Sequence, residues 1–502
     1  MTTYRRKSLL LALAAATGAT ALTAGVPASA APKDPTAPAV RLSWRPCAQP
    51  GGPATQECAD LPVPLDYADP YGRQITVAVS RVRSDRPEAR RGTLAVVPGG
   101  PGSSGVDRLT RKGVALGSRL DGAYDLVALD PRGVGGSAKA SCGLSDEDRM
   151  LTSLRPWPGP DGDVTENVAR SRRTAEACAR DGGAELRSFT TANQIRDLDR
   201  FREALGERKL SAWGVSYGSY VAAGYAQKFP GRTDRWILDS TGDPDPRKVA
   251  RGWLGNMGPG VEARFPDFAA WAAHPDRGAL RLAERPEEVE PLILSLAAEL
   301  DGAPRKSNVA GVPLTGNGLR QSLQNTLVSD ASFPAFAELV TALRDPKVEP
   351  VLPPELARPL SQEDAALMVA VVCNDVAWPR TSTAAYGRAV AEDRERHPLT
   401  AGMTANAMPC AFWKTAPTDK PVSITDDGPS NILMIQNRRD PATPLFGALE
   451  MREALGDRAV LVTVERGGHG AYLGNGNPCG DATVTRFLTT GERPAADTTC
   501  AG

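Results

Sequence analysis

The stretch Lys209-Leu210-Ser211-Ala212-Trp213-Gly214-Val215-Ser216-Tyr217-Gly218-Ser219-Tyr220 decides how this chain folds. Its centre, Gly214 to Gly218, is the chain's one match to G-x-S-x-G. Glycine makes up 49 of the 502 residues, so the pattern alone is weak and its surroundings give it meaning. Residues 209–213 read as a short apolar strand, and 217–229 as a helix stopped by Pro230. A strand that turns at once into a helix puts Ser216 on a sharp elbow with its hydroxyl exposed, and the flanking glycines let neighbouring backbones come close.

The same alternation runs outward in both directions. Apolar or β-branched runs end in turn residues at 75–83, 93–97, 124–129, 235–238, 431–436 and 459–465. A further helical pattern covers 195–205, after a Thr191 or Asn193 cap. Near-continuous apolar strands alternating with helices predict a mostly parallel central sheet with helices on both faces. Between 244 and 415 the pattern changes to helical stretches, such as 291–300 and 335–343, with proline-rich joints like 350–354. This reads as an inserted, mainly helical cap, dividing the core into 41–243 and 416–502.

A serine nucleophile needs a base, and the chain has three histidines. His274 and His397 sit beside prolines in the proposed cap, where surface or capping roles suit them. His469, in Gly467-Gly468-His469-Gly470, directly follows the strand 459–465, and a glycine-bracketed loop there carries an imidazole over the carboxyl end of a parallel sheet. Asp440 stands just beyond the strand 431–436, placed to orient the imidazole. Asp426 and Asp427 precede that strand, at the wrong end of the sheet, and Glu465 is too close to His469 along the chain. The order Ser216, Asp440, His469 is the one expected of an α/β-hydrolase.

Strand 93–97 runs into Pro98-Gly99-Gly100-Pro101-Gly102-Ser103-Ser104-Gly105, whose backbone N–H groups suit an oxyanion hole with the N–H of Tyr217 as second donor. Gly100 to Gly105 also satisfies G-x-G-x-x-G, with Asp130 ending the next strand run. That dinucleotide-binding alternative leaves Ser216, Asp440 and His469 unexplained. The proposed chemistry calls for no metal and no organic cofactor.

The balance of charge narrows the partners. There are 59 Lys+Arg against 59 Asp+Glu, which argues against nucleic acid and against an anionic membrane surface. Arg5-Arg6-Lys7, the apolar run 8–26 and Ala28-Ser29-Ala30 form a secretory signal pattern, with cleavage expected near Ala30 and 31–40 as propeptide or linker. Thr17, Gly18, Thr20, Thr23, Gly25 and Pro27 dilute the run, which speaks against a permanent membrane anchor. Eight cysteines, with no C-x-x-C, fit disulfides in an exported protein. The simplest pairing joins sequence neighbours: Cys47 with Cys58, Cys142 with Cys178, Cys373 with Cys410, and Cys479 with Cys500.

Taken together, Gly99-Gly100-Pro101-Gly102, Asp130-Pro131-Arg132-Gly133, Gly214 to Gly218, Arg439-Asp440 and Gly468-His469-Gly470 resemble the prolyl aminopeptidase branch of the α/β-hydrolases. With Val372-Cys373-Asn374-Asp375, Trp378-Pro379 and Pro478-Cys479, the chain is more closely similar to the secreted tripeptidyl aminopeptidases of Streptomyces. The resemblance implies a serine exopeptidase that acts on peptides or proteins with a free N-terminus and releases short peptides, tripeptides among them. It places the nucleophile on Ser216, the acid on Asp440, the base on His469, and the oxyanion glycine on Gly100, with Gly99 the fallback. Related intracellular enzymes carry histidine where this chain has Pro98, which weakens transfer of their proline-restricted specificity. An aminopeptidase must also hold an ammonium group, and Asp375, tethered if Cys373 pairs with Cys410, is the candidate anchor. A structural salt bridge is the competing role for Asp375. A secreted carboxylesterase with the same triad, or a catalytically silent binding protein, are the competing functions.

Overall fold

Among the described residues ten strands build one sheet: β1 (Arg45–Pro46), β2 (Glu57–Pro64), β3 (Gln74–Val82), β4 (Gly92–Val97), β5 (Tyr124–Leu129), β6 (Leu210–Val215), β7 (Thr233–Asp239), β8 (Ile432–Arg439), β9 (Ala459–Gly467) and β10 (Thr498–Cys500). The computed structural model describes residues 40–245 and 251–501, so the expected signal segment and most of the expected propeptide lie outside the described residues. The strand order is β1-β2-β3-β5-β4-β6-β7-β8-β9-β10. β1, β2 and β3 pair antiparallel, β3 meets β5 antiparallel, and every neighbour from β5 to β10 is parallel. The mostly parallel sheet expected from the sequence is therefore present.

Both faces of the central strands are buried. Leu94 and Val96 of β4 face a layer with Leu109 and Leu116 of α1 (Gly105–Leu120), while Ala95 and Val97 face the opposite layer. That opposite layer holds α2 (Thr191–Ala204) and α3 (Tyr217–Lys228). This two-sided burial is why the strands read as continuous apolar runs. Two differences from the sequence reading have local causes. The side chain that caps α2 is Thr190, which accepts from the Asn193 N–H, rather than Thr191 or Asn193. β2 escaped notice because Pro62 and Pro64 interrupt it. β1 pairs only with its first residues, so Pro62 faces an open edge where no N–H is needed.

Between β7 and β8 the chain is helical: α4 (Arg251–Ala273), α5 (Val289–Gly302), α6 (Gly316–Leu327), α7 (Phe333–Arg344), α8 (Gln362–Asp375) and α9 (Thr383–Arg396). Among the described residues there, one isolated bridge, Arg305 to Leu314, is the only β pairing. Phe265, Phe268, Leu319, Leu323, Phe333 and Val340 give these helices an apolar core of their own. The disulfides are Cys47–Cys58, Cys142–Cys178, Cys373–Cys410 and Cys479–Cys500, the neighbour pairing expected from the sequence. Among the described residues no helix is long and apolar enough to cross a membrane.

Candidate active site

Ser216 sits between β6 and α3 with φ 58° and ψ −130°, a conformation that costs a non-glycine residue on the order of 1–3 kcal/mol. Its N–H donates to the Asp239 carbonyl (2.9 Å) and its carbonyl accepts from the Ser219 N–H (2.8 Å). The half-buried side chain stands at the carboxyl end of the sheet. Two neighbouring glycines are steric requirements. A Cβ on Gly218 would lie 2.4 Å from the Pro98 carbonyl oxygen, and one on Gly99 would lie 2.9 Å from the Ser216 Cβ. The loop proposed as oxyanion hole therefore lies directly against the elbow.

That loop is held from below by Asp130, which is 3% exposed. Its Oδ1 accepts from the Ser104 hydroxyl (2.5 Å) and the Val106 N–H (3.0 Å), and its Oδ2 from the Gly136 N–H (3.0 Å). Arg132, two residues on, is buried and forks onto Asp197 of α2 at 2.7 and 2.8 Å. The Asp130-Pro131-Arg132-Gly133 motif is thus scaffolding. The Asp130 carboxylate, which the dinucleotide alternative would need for a ribose, is committed to the chain's own loops.

Asp440 follows β8 and is buried, and both its oxygens lie within 3.0 Å of His469 Nδ1. Its Oδ1 also accepts from the N–H groups of Ala442 and Thr443, each at 2.9 Å, and its Oδ2 from the Thr443 hydroxyl at 3.1 Å. These donors fix the carboxylate's orientation before histidine arrives. With Nδ1 protonated toward Asp440, the imidazole keeps Nε2 free as a base. Burial opposes the imidazolium, but the charge and hydrogen bond of Asp440, with Asp239 behind, outweigh burial and the opposing Arg108. The His469 pKa is raised above its ordinary value. The His469 side chain is 16% exposed, open enough to exchange protons with a bound substrate.

The structure brings Asp440 and His469 into contact and sets Ser216 at the end of β6, two strands from β8. Two contributors were missed. Thr443 bonds Asp440 and also lies 3.3 Å from His469 Nδ1. Asp239, fully buried at the end of β7, accepts from the N–H groups of Ala471 (2.8 Å) and Tyr472 (3.1 Å) in the histidine loop. Its available signal was position, since it ends a strand at the same sheet edge as Ser216 and Asp440.

The remaining candidates fall as follows. Glu465 is paired with Arg438 and Arg439. His274 accepts from the Asp276 N–H at the start of a short helical turn, and the His397 ring packs on Gly258. Asp375 ends α8, and its carboxylate accepts from the Thr191 N–H (2.8 Å) and hydroxyl (2.5 Å). Thr191 Oγ1 in turn lies 2.5 Å from the Tyr217 hydroxyl, so Asp375 is linked through the Thr191 side chain to the residue after Ser216. Burial pushes the Asp375 carboxyl up to about 6, partly offset by the two Thr191 bonds. Among the described residues it has no salt-bridge partner. It also borders a small cavity of about 20 Å³ with Thr191, Ile195, Tyr220 and Val422.

A parallel sheet with a serine elbow after one strand and a histidine loop after a later one is the architecture of the α/β-hydrolases. Residues 92–285 match the family model described as alpha/beta hydrolase fold, and residues 397–500 match that described as TAP-like protein. The chain is 34% identical over 481 residues to the tripeptidyl aminopeptidase of Streptomyces lividans, covering 92% of this chain and 86% of that one. It is 27% identical over 489 residues to the serine protease Hip1 of Mycobacterium tuberculosis H37Rv, covering 91% of each. Carboxylesterase B of Mycobacterium tuberculosis CDC 1551 is 29% identical over 494 residues, covering 93% of this chain and 92% of that one. The chain belongs to the tripeptidyl aminopeptidase family of serine α/β-hydrolases.

Proposed function

We propose that this protein is a serine exopeptidase that releases tripeptides from the free N-termini of peptides and proteins outside the cell. The observation that carries the chemistry is the pairing of buried Asp440 with His469, 2.9 Å apart, at the sheet edge that also carries the strained Ser216. In the proposed cycle His469 Nε2 takes the Ser216 proton as Oγ attacks the scissile carbonyl, and the N–H groups of Gly100 and Tyr217 stabilise the oxyanion. The imidazolium, steadied by Asp440, then protonates the leaving amine, and water deacylates the enzyme by the reverse path. The tripeptide step is supported by the Streptomyces lividans relative, and Asp375 is the proposed anchor for the substrate's ammonium group. Four disulfides support an oxidising compartment after signal cleavage near Ala30. Esterase action is the second reading, favoured by the similarity to carboxylesterase B.

One peptide offered free and N-acetylated, with products read by mass spectrometry, separates these readings. Loss of three-residue fragments from the free form alone is the expected result. Cleavage of both forms points to an endopeptidase, and cleavage of neither, with turnover of acyl esters, to the esterase. Ser216→Ala is expected to lower kcat by a factor on the order of 10⁴ or more; wild-type turnover in that variant overturns the nucleophile assignment.

A further inference from the structure

The sheet order poses a geometric problem for the proposed triad. Ser216 follows β6 and His469 follows β9, with β7 and β8 between them. Neighbouring strands are about 4.8 Å apart, so a histidine rising straight from β9 would stand some three spacings from the nucleophile. The loop after β9 instead folds back across β8 and lands on the end of β7. The Gly470 N–H donates to the Ser240 hydroxyl (2.8 Å), the Ala471 N–H to Asp239 Oδ1 (2.8 Å) and the Tyr472 N–H to Asp239 Oδ2 (3.1 Å). Two more donors complete the carboxylate, the Ser240 hydroxyl on Oδ1 (3.2 Å) and Trp213 Nε1 on Oδ2 (3.0 Å). The main-chain carbonyl of the same Asp239 accepts the Ser216 N–H at 2.9 Å.

We propose that Asp239 is a positioning residue of the catalytic centre, a single side chain and carbonyl that set the separation of Ser216 from His469. The proposal rests on the reading of Ser216 and His469 as nucleophile and base. Ser240 is its accessory, held in a left-handed conformation (φ 52°) that aims its hydroxyl at Gly470. A carboxylate is required because all four partners are donors. An asparagine would turn its NH₂ toward two of them. The charge is buried with no ion-pair partner among the described residues, a costly arrangement for a group that served folding alone. Arg108 and Lys112, both of α1, are the cations that feel its charge, and the Arg108 guanidinium lies 4.7 Å over the Trp213 ring. The charged groups facing His469 are therefore Asp440, Asp239 and Arg108. Asp239 adds to the field that favours the imidazolium formed as Ser216 attacks.

The test compares Asp239→Asn, Ser240→Ala and Ser216→Ala with wild type, each checked for folding by circular dichroism. Peptide kinetics are measured across pH, together with the rate of labelling by a fluorophosphonate. Asp239→Asn is expected to lower kcat and the labelling rate by the same factor, on the order of 10²-fold, with KM nearly unchanged. The acid limb of its kcat/KM profile moves to lower pH, because His469 loses a negative neighbour while Arg108 stays. Ser240→Ala keeps that charge, so a several-fold lower kcat is expected with the acid limb in place. A folded Asp239→Asn protein with wild-type kcat overturns the proposal, as does an activity loss that only tracks the unfolded fraction with an unmoved acid limb. Should Asp239→Asn not fold, Ser240→Ala decides, and unchanged kcat and labelling in that variant overturn the proposal. Turnover or labelling in Ser216→Ala would instead sink the triad reading itself. A dead Ser216→Ala beside an unaffected Asp239→Asn removes only the role given to Asp239.

Discussion

At Asp375, two demands meet on one carboxylate. It accepts both hydrogen bonds that Thr191 offers at the start of α2, and burial lifts its pKa to about 6. An approaching ammonium group would supply the cation the site lacks. A charge-assisted bond of that kind is worth about 1.5–3 kcal/mol, or on the order of 10- to 100-fold in affinity. Asp375→Asn is therefore expected to raise KM by that factor for free-amine peptides while leaving N-blocked esters unchanged. The pH dependence has a definite sign. The carboxylate is charged above about 6, so wild-type KM for free-amine peptides should climb as pH falls through that value, with no matching rise for blocked esters. If Asp375 serves only to hold Thr191, the substitution lowers thermal stability and shifts KM equally for both substrates.

Between residues and molecule lie the turns, and the elbow around Ser216 is a tight one. A methyl group on Gly218 would meet the carbonyl oxygens of Pro98 and Val97 at 2.4 and 2.5 Å, and neither is the end of a flexible side chain. Gly218→Ala is expected to cost about 1–3 kcal/mol in urea unfolding and to depress kcat further by pushing the Pro98–Gly100 backbone off Ser216. Unchanged stability and kcat would mean the elbow has slack that these distances deny. This turn was legible in the sequence because its steric demand is local, written in glycines two residues either side of Ser216. Asp440 and His469 were legible for a similar reason, since each directly follows an apolar strand. Asp239 ends a strand just as plainly. Its meaning, however, depends on Trp213, Ala471 and Tyr472, which only the folded sheet brings to it. β10 was missed because three residues, Thr498 to Cys500, carry too little periodicity, and their pairing with β9 is tertiary. Two of the cap's helices were visible as the periodic runs 291–300 and 335–343. The cap's contacts with the catalytic loops were not, since the meeting of Val328 with His469 and of Asp267 with Arg439 exists only in the folded chain.

Those contacts join the whole molecule into one working unit. The His469 N–H donates to the carbonyl of Val328, at the end of α6 in the cap, at 2.8 Å. A Cβ placed on Gly102 would lie 3.2 Å from Leu367 Cδ2 of α8, closer than ordinary van der Waals contact, so this helix packs directly against the proposed oxyanion loop. Arg264 of α4 organises the junction. It is 2% exposed, donates to the Leu327 carbonyl at 3.1 Å, and pairs with Asp267 and Asp330. Asp267 then reaches Arg439, beside Asp440, at 2.9 Å. Both carboxylates are partly solvated, so the electrostatic part of Arg264's contribution is well below that of a fully buried pair. Arg264→Met keeps most of the apolar stem and removes the fork. The expected stability loss is about 1–3 kcal/mol by urea unfolding. If the cap is part of the catalytic framework, kcat falls along with it, because the Leu327–Val328 carbonyls that meet Arg264 and His469 lose their register. A variant that loses stability yet keeps wild-type kcat at temperatures where it remains folded would show the cap to be only a cover. A drop in kcat with KM held would show that the insertion between β7 and β8 helps to aim the base.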